Sequence, residues 1–227
     1  MSGDISSILL IGLAVLAIVA FVVIAQQIQR KHQEALAREA ARLGLSFTPS
    51  RSSELARRHE NLRGLGEGDD RYAFDIMEGD YLGHAVTVFD FHYETHSTDS
   101  QGRRQTSHHH RHVVLLHLER EFPAMFVAPE GILSKIAQAF GYDDIDFESH
   151  EFSSRFCVRS ADKKFAYDVC NPAMMDFLLG NLRLSFELRG SVLALVFEGS
   201  VRPEEIEPRL RIAHAIRERM PDYLFTV

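Results

Sequence analysis

An uninterrupted apolar stretch near the N-terminus constrains this chain of 227 residues more than any other feature. Residues 8–25 form 18 consecutive positions without a charged or strongly polar side chain, and residues 5–25 extend the stretch to 21. In a helix that rises about 1.5 Å per residue, 21 residues reach about 30 Å, the thickness of the hydrocarbon core of a bilayer. The sequence therefore predicts a transmembrane helix at residues 5–25. The alternative is a cleaved secretory signal, although the positive residues that begin such signals are missing.

The charges on either side of this stretch predict an orientation. Asp4 precedes it, whereas Arg30, Lys31, Arg38 and Arg42 follow it. Since loops rich in Lys and Arg stay on the cytoplasmic side, the sequence predicts a single-pass protein whose C-terminal domain is cytoplasmic. The lipid bilayer is then a partner, contacted through residues 5–25.

The remainder of the chain has the composition of a folded domain. Apolar residues make up 45% and charged residues 25%, a balance typical of globular proteins. Residues 26–43 continue as a juxtamembrane helix, and residues 44–227 form the soluble domain. Predicted strands come in neighbouring pairs with helices between the pairs, which favours an α+β fold with a mainly antiparallel sheet and flanking helices. The residues leave open whether this domain is one sheet or two lobes split near position 120.

Three segments give sharper local predictions. Asn171 followed by Pro172 is typical of a helix start, so we expect a helix at residues 172–179. Apolar alternation on both sides of Arg189 and Gly190 predicts a hairpin that turns at these two residues. Residues 95–110 are polar, contain glycine and show no apolar period, which predicts a mobile loop.

The histidines are the most unusual feature of the soluble domain. Twelve occur in the chain, and seven of them fall within residues 84–112. Side chains at alternate positions of a strand share one face, so extended strands would align two rows of imidazoles and carboxylates. Such rows suit a zinc or nickel site, although no H-E-x-x-H motif is present. A plain polar loop is the alternative. The candidate metal ligands are His92, His96, His108, His110 and His112.

Catalytic and cofactor-binding motifs are missing from the sequence. There is no G-x-x-x-x-G-K-[ST] and no G-x-S-x-G, and the glycines of residues 64–68 follow a predicted helix where a phosphate-binding loop would follow a strand. Cys157 and Cys170 are interpreted as small buried residues. The net charge of −7 and the small basic patch at Arg103 and Arg104 argue against nucleic acid as a partner. The sequence therefore predicts no catalytic residue and no cofactor-binding residue.

Four segments carry a resemblance to a known family. They are F-D-F-x-Y at residues 89–93, P-x-x-F-V-x-P-E at 123–130, I-D-F-E-S-x-E-F-S-x-R-F-x-V at 145–158, and A-Y followed by P-x-M-M-x-x-L-L within 166–179. In this order they resemble a family of uncharacterised bacterial membrane-anchored proteins, a domain of unknown function, over roughly residues 70–190. The resemblance implies a bacterial source and a single-pass anchor in the plasma membrane. It brings no assigned catalytic residues with it.

Three hypotheses for function follow from these observations. The first is a membrane-tethered cytoplasmic module, without an evident catalytic site, that binds a ligand or an unknown protein partner and needs no cofactor. The second is a metal-binding or metal-sensing protein that uses the His-rich hairpin at residues 92–112 to hold zinc or another divalent transition metal. The third is an enzyme whose site the sequence does not reveal. The residues favour a protein that is not an enzyme, without deciding the question.

Overall fold

A computed structural model describes residues 2–99, 101–130 and 143–226, and the side chains of residues 2–11 and 14 lie outside this description. Within these ranges the chain forms six α-helices, six β-strands and a short 3-10 helix, Asp222–Leu224. The helices are α1 (Ser2–Arg42), α2 (Ser53–Arg58), α3 (His150–Ser153), α4 (Lys163–Val169), α5 (Pro172–Leu179) and α6 (Pro203–Arg217). The strands are β1 (Ser46–Thr48), β2 (Asp69–Tyr81), β3 (His84–Thr98), β4 (Arg104–Pro129), β5 (Phe156–Ser160) and β6 (Phe186–Glu198).

A single antiparallel sheet organises these elements. Strands β1, β2, β3, β4 and β5 are hydrogen-bonded in that order, and β6 pairs with β4. The long strand β4 is shared: its first half pairs with β3, its second half with β5, and β6 runs beside both halves. The predicted α+β class with a mainly antiparallel sheet and flanking helices is therefore confirmed. The sequence left open whether the domain divides into two lobes near position 120. Strand β4 runs continuously through that position.

The sheet has a buried apolar core on each face, and β3 contributes apolar side chains to both cores. Val86 and Val88 belong to the larger core, which α1, α4, α5 and α6 cover. Phe89 and Phe91 point the other way, into a smaller core closed by α2 and the segment that follows it. The period of two along an extended chain places these neighbours on opposite faces.

Short polar caps set where two of the helices begin. The Ser52 hydroxyl accepts a hydrogen bond from the Leu55 amide at 3.1 Å, which starts α2. The Asn171 side chain accepts from the Met174 amide at 3.1 Å, and Pro172 occupies the first turn of α5. Each cap satisfies an amide that has no partner within its helix. The predicted helix at residues 172–179 is confirmed.

The predicted transmembrane helix at residues 5–25 is wrong. Among the described residues, no helix is long and apolar enough to cross a membrane. The single-pass topology, the plasma-membrane location with a cytoplasmic C-terminal domain, and the anchoring through residues 5–25 are corrected with it.

The second half of α1 is part of the domain. Leu36 and Ala40 are fully buried in the larger core. Arg42 forms ion pairs with Glu39 of the same helix and with Glu207 of α6. These contacts join the end of α1 to the sheet and to α6.

The predicted hairpin about Gly190 is also wrong, since β6 is one continuous strand. Gly190 has a φ of +57° and pairs with Phe122, within the stretch where the register between β4 and β6 shifts. A glycine with positive φ serves a β-bulge as well as a tight turn, and here it serves an irregularity of the ladder. The local sequence does not distinguish these two uses.

Residues 95–98 and 104–110 are strand where the sequence predicted a mobile loop over 95–110. Strands β3 and β4 pair as far as Thr98 and Arg104, so only residues 99–103 connect them. Two cross-strand contacts support this polar ribbon: Thr95 Oγ1 lies 2.8 Å from His109 Nε2, and His96 Nδ1 lies 3.0 Å from Thr106 Oγ1. Cross-strand hydrogen bonds of this kind stabilise a sheet without apolar side chains.

Candidate functional site

The predicted histidine rows exist on one face of the β3–β4 hairpin. The register pairs Asp90 with His112, His92 with His110, Glu94 with His108, and His96 with Thr106. All these side chains lie on the face that also carries Val86 and Val88, because they are separated by even numbers of residues. The pattern therefore predicted their relative placement, while their distances and burial differ from pair to pair.

Three of these side chains form a compact group at the middle of the rows. Ligand atoms of His92, Glu94 and His108 all lie within 4.8 Å of one another. His108 Nδ1 is 3.0 Å from Glu94 Oε1, and His92 Nε2 is 3.7 Å from the same oxygen. The ring of His110 lies beside the group, with its centroid 5.0 Å from that of His92. We call His92, Glu94 and His108 the hairpin trio.

The two other candidate ligands lie apart from this group. His112 is fully buried at the inner end of the rows, where its Nδ1 is 2.9 Å from Asp90 Oδ1. His96 lies at the outer end, bonded to Thr106 and 3.7 Å from Asp69. Glu94 was absent from the predicted ligands, although the alternation that aligned the histidines also aligned it.

A cleft lined by arginines is the second site, and no sequence signal indicated it. It has a volume of about 640 Å³ and lies beside β6. Consecutive residues 185–187 and 196–198 line it, and since successive side chains alternate between faces, the cleft follows the edge of the strand. Four arginines border it, and we call it the arginine cleft: Arg63, Arg111, Arg183 and Arg209.

Two of these arginines have an atom without a hydrogen-bond partner. Within the described residues, Nη1 of Arg63 and Nη1 of Arg209 are buried and unpaired. The guanidinium of Arg63 lies 4.4 Å from the ring centroid of Phe126, and that of Arg209 lies 4.4 Å from that of Phe197. Burial lowers the pKa of both arginine side chains. Both guanidinium groups therefore lie over aromatic rings, and each has an Nη1 that can still donate a hydrogen bond.

Acidic residues neutralise other parts of the cleft. Arg111 donates to the Gly64 carbonyl and to Glu67 at 3.1 Å, and it also pairs with Glu198 at 3.5 Å. Glu187 is buried, and burial raises the pKa of its carboxyl group. It accepts hydrogen bonds from the Arg63 amide and from Arg189, both at 2.7 Å. Arg209 also has an acidic partner, since its Nη2 is 3.0 Å from Glu205. What distinguishes Arg63 and Arg209 from Arg111 is the buried Nη1 that each leaves without a hydrogen-bond partner among the described residues.

Sequence reasoning missed the cleft because its arginines are far apart along the chain. Successive members are 48, 72 and 26 positions apart. They come from the segment after α2, from β4, from the segment before β6 and from α6. Only the folded sheet brings such residues together.

Both cysteines are buried, as the sequence predicted. Burial, followed by a hydrogen bond to Asp144, raises the pKa of the Cys157 thiol to about 12. Burial alone raises the pKa of the Cys170 thiol still further. A thiol with a raised pKa is a poor nucleophile at neutral pH.

Comparison with known proteins gives one likeness of fold. No protein-family model matches the chain, and no curated protein matches it. The crystal structure of the mycobacterial trehalose monomycolate transport factor A, TtfA, superposes with a TM-score of 0.57 at 15% sequence identity. The match covers 85% of this chain and 97% of that chain. At this identity the likeness establishes a shared fold.

Proposed function

We propose that this protein is a binding module for an amphiphilic lipid, which it holds in the arginine cleft. The observation that carries the proposal is the pair of buried, unpaired guanidinium nitrogens of Arg63 and Arg209 beside an apolar wall. An anionic headgroup lies at these two arginines, and the first part of an acyl chain lies along β6.

The headgroup end follows from the electrostatics of the cleft. A buried polar nitrogen without a hydrogen-bond partner costs about 1–3 kcal/mol. A phosphate or carboxylate oxygen would pair with Nη1 of Arg63 or Arg209, and guanidinium groups match such oxyanions well. Arg111 is less available, because Glu67 and Glu198 already contact it.

The acyl end follows from the wall of the cleft. The apolar side chains that line it are those of Phe126, Phe186, Ala194, Val196 and Phe197. Ligand-binding pockets commonly enclose about 300–1,000 Å³, and they combine apolar walls with a few polar groups. At about 0.8 kcal/mol per buried methylene, a short stretch of acyl chain would contribute as much as the headgroup.

The fold likeness supports a lipid-related ligand. TtfA is named for the transport of trehalose monomycolate. Different ligands occur on one fold, so the ligand of this chain is argued from its own cleft. The predicted interaction or ligand-binding module is consistent with this proposal, and an additional protein partner stays a prediction.

Calorimetric titration with decyl phosphate, kept below its micelle-forming concentration, tests the proposal. We expect saturable binding by the full chain, with about 10-fold or greater loss of affinity in Arg63→Gln and in Arg209→Gln, because each removes a charged hydrogen bond. Arg57→Gln is the matched control, since it removes one arginine from the exposed side of α2 and leaves the cleft intact. It should bind as the wild type does.

One further ligand and one further variant test the two ends of the amphiphile separately. Inorganic phosphate should bind much more weakly than decyl phosphate, since it lacks the acyl chain. The substitution Val196→Ser should weaken decyl phosphate without affecting phosphate. Equal affinity for phosphate and decyl phosphate would contradict a lipid site in the cleft. So would equal affinity for decyl phosphate in the three cleft variants and in the control Arg57→Gln.

A further inference from the structure

We propose that the hairpin trio binds one divalent transition-metal ion. The trio lies on the β3–β4 hairpin, on the sheet face of the larger core, and none of its members lines the arginine cleft. The inference therefore stands independently of lipid binding, and it assigns a role to residues that the cleft does not use.

The spacing of the donor atoms matches a metal site. Metal bonds to histidine nitrogen and carboxylate oxygen are about 2.0–2.2 Å long, so tetrahedral ligand atoms lie about 3.4 Å apart. Glu94 Oε1 is 3.0 Å from His108 Nδ1 and 3.7 Å from His92 Nε2. These two distances bracket the ideal value, and all three atoms already lie within 4.8 Å of one another. Small side-chain adjustments suffice to enclose an ion.

The backbone holds the trio in place. His92 lies between Tyr72 of β2 and His110 of β4 in the ladder of the sheet. The ring of Tyr72 stacks on that of His92 with 4.7 Å between centroids. Ligands fixed by paired strands and a stacked ring lose little freedom when an ion binds, which is what a stable metal site requires.

His92 also has polar atoms that the described residues leave unsatisfied. Its side chain is 5% exposed, and its Nδ1 is buried without a hydrogen-bond partner in the described part of the chain. Its Nε2 is 3.7 Å from Glu94, too far for a hydrogen bond. A metal ion at Nε2 would pair that nitrogen and would leave Nδ1 as it is.

The donor set selects the kind of metal. Two imidazoles and one carboxylate, without a thiolate, suit zinc, cobalt or nickel better than calcium or magnesium. Three protein ligands leave a coordination position for water. The ring of His110 lies beside the trio, with its centroid 5.0 Å from that of His92.

A second group, made of His84, His214 and Glu218, is the main competitor. Its carboxylate is more exposed, and each of its imidazoles is 3.9 Å from Glu218. Arg217 lies beside it, 3.0 Å from Glu119, and adds a permanent positive charge that opposes cation binding. The hairpin trio has no arginine in contact with Glu94 among the described residues.

Cobalt and zinc titrations of the full chain, purified without a histidine tag and stripped with a chelator, test the proposal. We expect one equivalent of cobalt with the intense visible absorption of a tetrahedral site, and displacement of this signal by zinc. His108→Gln and Glu94→Gln should each weaken zinc binding by about 10-fold or more. In other metal sites, losing a residue that only hydrogen-bonds a ligand already lowers metal affinity by about 10-fold or more. His108 is 60% exposed, so its replacement tests binding without disturbing the fold.

Matched variants complete the design. His109→Gln removes an imidazole from the opposite face of the same hairpin, where the ring stacks on Tyr93, and it should bind zinc as the wild type does. His84→Gln should also retain wild-type affinity. The proposal is overturned if the chain binds no full equivalent of either metal. It is equally overturned if His108→Gln and Glu94→Gln bind as tightly as the wild type, or if His109→Gln or His84→Gln loses as much affinity as they do.

Discussion

Nδ1 of His112 lies 2.9 Å from Oδ1 of Asp90, and both side chains are almost completely buried. Asp90 also accepts from the amide of Val201, at 3.2 and 3.3 Å to its two oxygens. One carboxylate therefore joins β3, β4 and the segment that leads into α6. Burial lowers the pKa of His112 although Asp90 opposes this effect, so the imidazole is a neutral donor to a buried carboxylate at neutral pH.

Replacing Asp90 should destabilise the protein strongly. Asp90→Ala leaves the Val201 amide and the His112 ring without their acceptor, and we expect the free energy of unfolding to fall by about 3–5 kcal/mol. Asp69→Ala is the control, because that carboxylate is 78% exposed and its removal should cost less than about 0.5 kcal/mol. Urea denaturation followed by circular dichroism measures both. Equal midpoints for the two variants would contradict a structural role for the pair.

Stability should fall in mild acid, and His59 should contribute to the fall. Burial, with smaller contributions from His117 and Arg58, lowers the pKa of His59 from 6.5 to about 4. Between these values the unfolded chain binds more protons, so stability that is complete above pH 6.5 is lost as the pH falls towards 4, with a slope of at most about 1.4 kcal/mol per pH unit. His59→Gln should show a shallower slope in urea denaturation across this range. Parallel profiles for the two proteins would contradict the prediction.

The fold and the hairpin trio were partly predictable, for one physical reason. Strand alternation is local, so Val86 and Phe89 could be assigned to opposite faces, and His92 and His108 to one face, without knowledge of the tertiary structure. The same period does not report whether a glycine such as Gly190 turns the chain or accommodates a bulge. Nor does it reveal that cross-strand hydrogen bonds keep Thr95 in a strand.

The arginine cleft could not be predicted, since it depends on long-range pairing. Arg63 comes from the segment after α2 and Arg209 from α6, and each alone has the sequence pattern of an ordinary surface arginine. The transmembrane prediction failed in another way. It relied on the length of an apolar run at residues 5–25, whereas no helix among the described residues is long and apolar enough to cross a membrane.

Both thiols should be unreactive in the folded protein. Cys157 and Cys170 are 1% and 2% exposed, and the raised pKa of Cys157, about 12, leaves almost no thiolate at neutral pH. Titration with 5,5′-dithiobis(2-nitrobenzoic acid) should detect neither thiol under native conditions and both in denaturant. Rapid reaction of one thiol in the native state would show that its strand or helix opens readily.

The loop that closes the smaller core should not tolerate a side chain at Gly68. Gly68 and Gly102 have similar positive φ values, +69° and +77°, so substitution by alanine strains the backbone equally at both positions. A Cβ atom at Gly68 would clash with the Glu94 carbonyl and lie 2.8 Å from the ring of Tyr93, whereas at Gly102 it would meet open space. We therefore expect Gly68→Ala to lower the free energy of unfolding by about 1–3 kcal/mol more than Gly102→Ala does. Urea denaturation of the two variants measures this difference directly, and equal losses would mean that the loop and β3 separate at little cost.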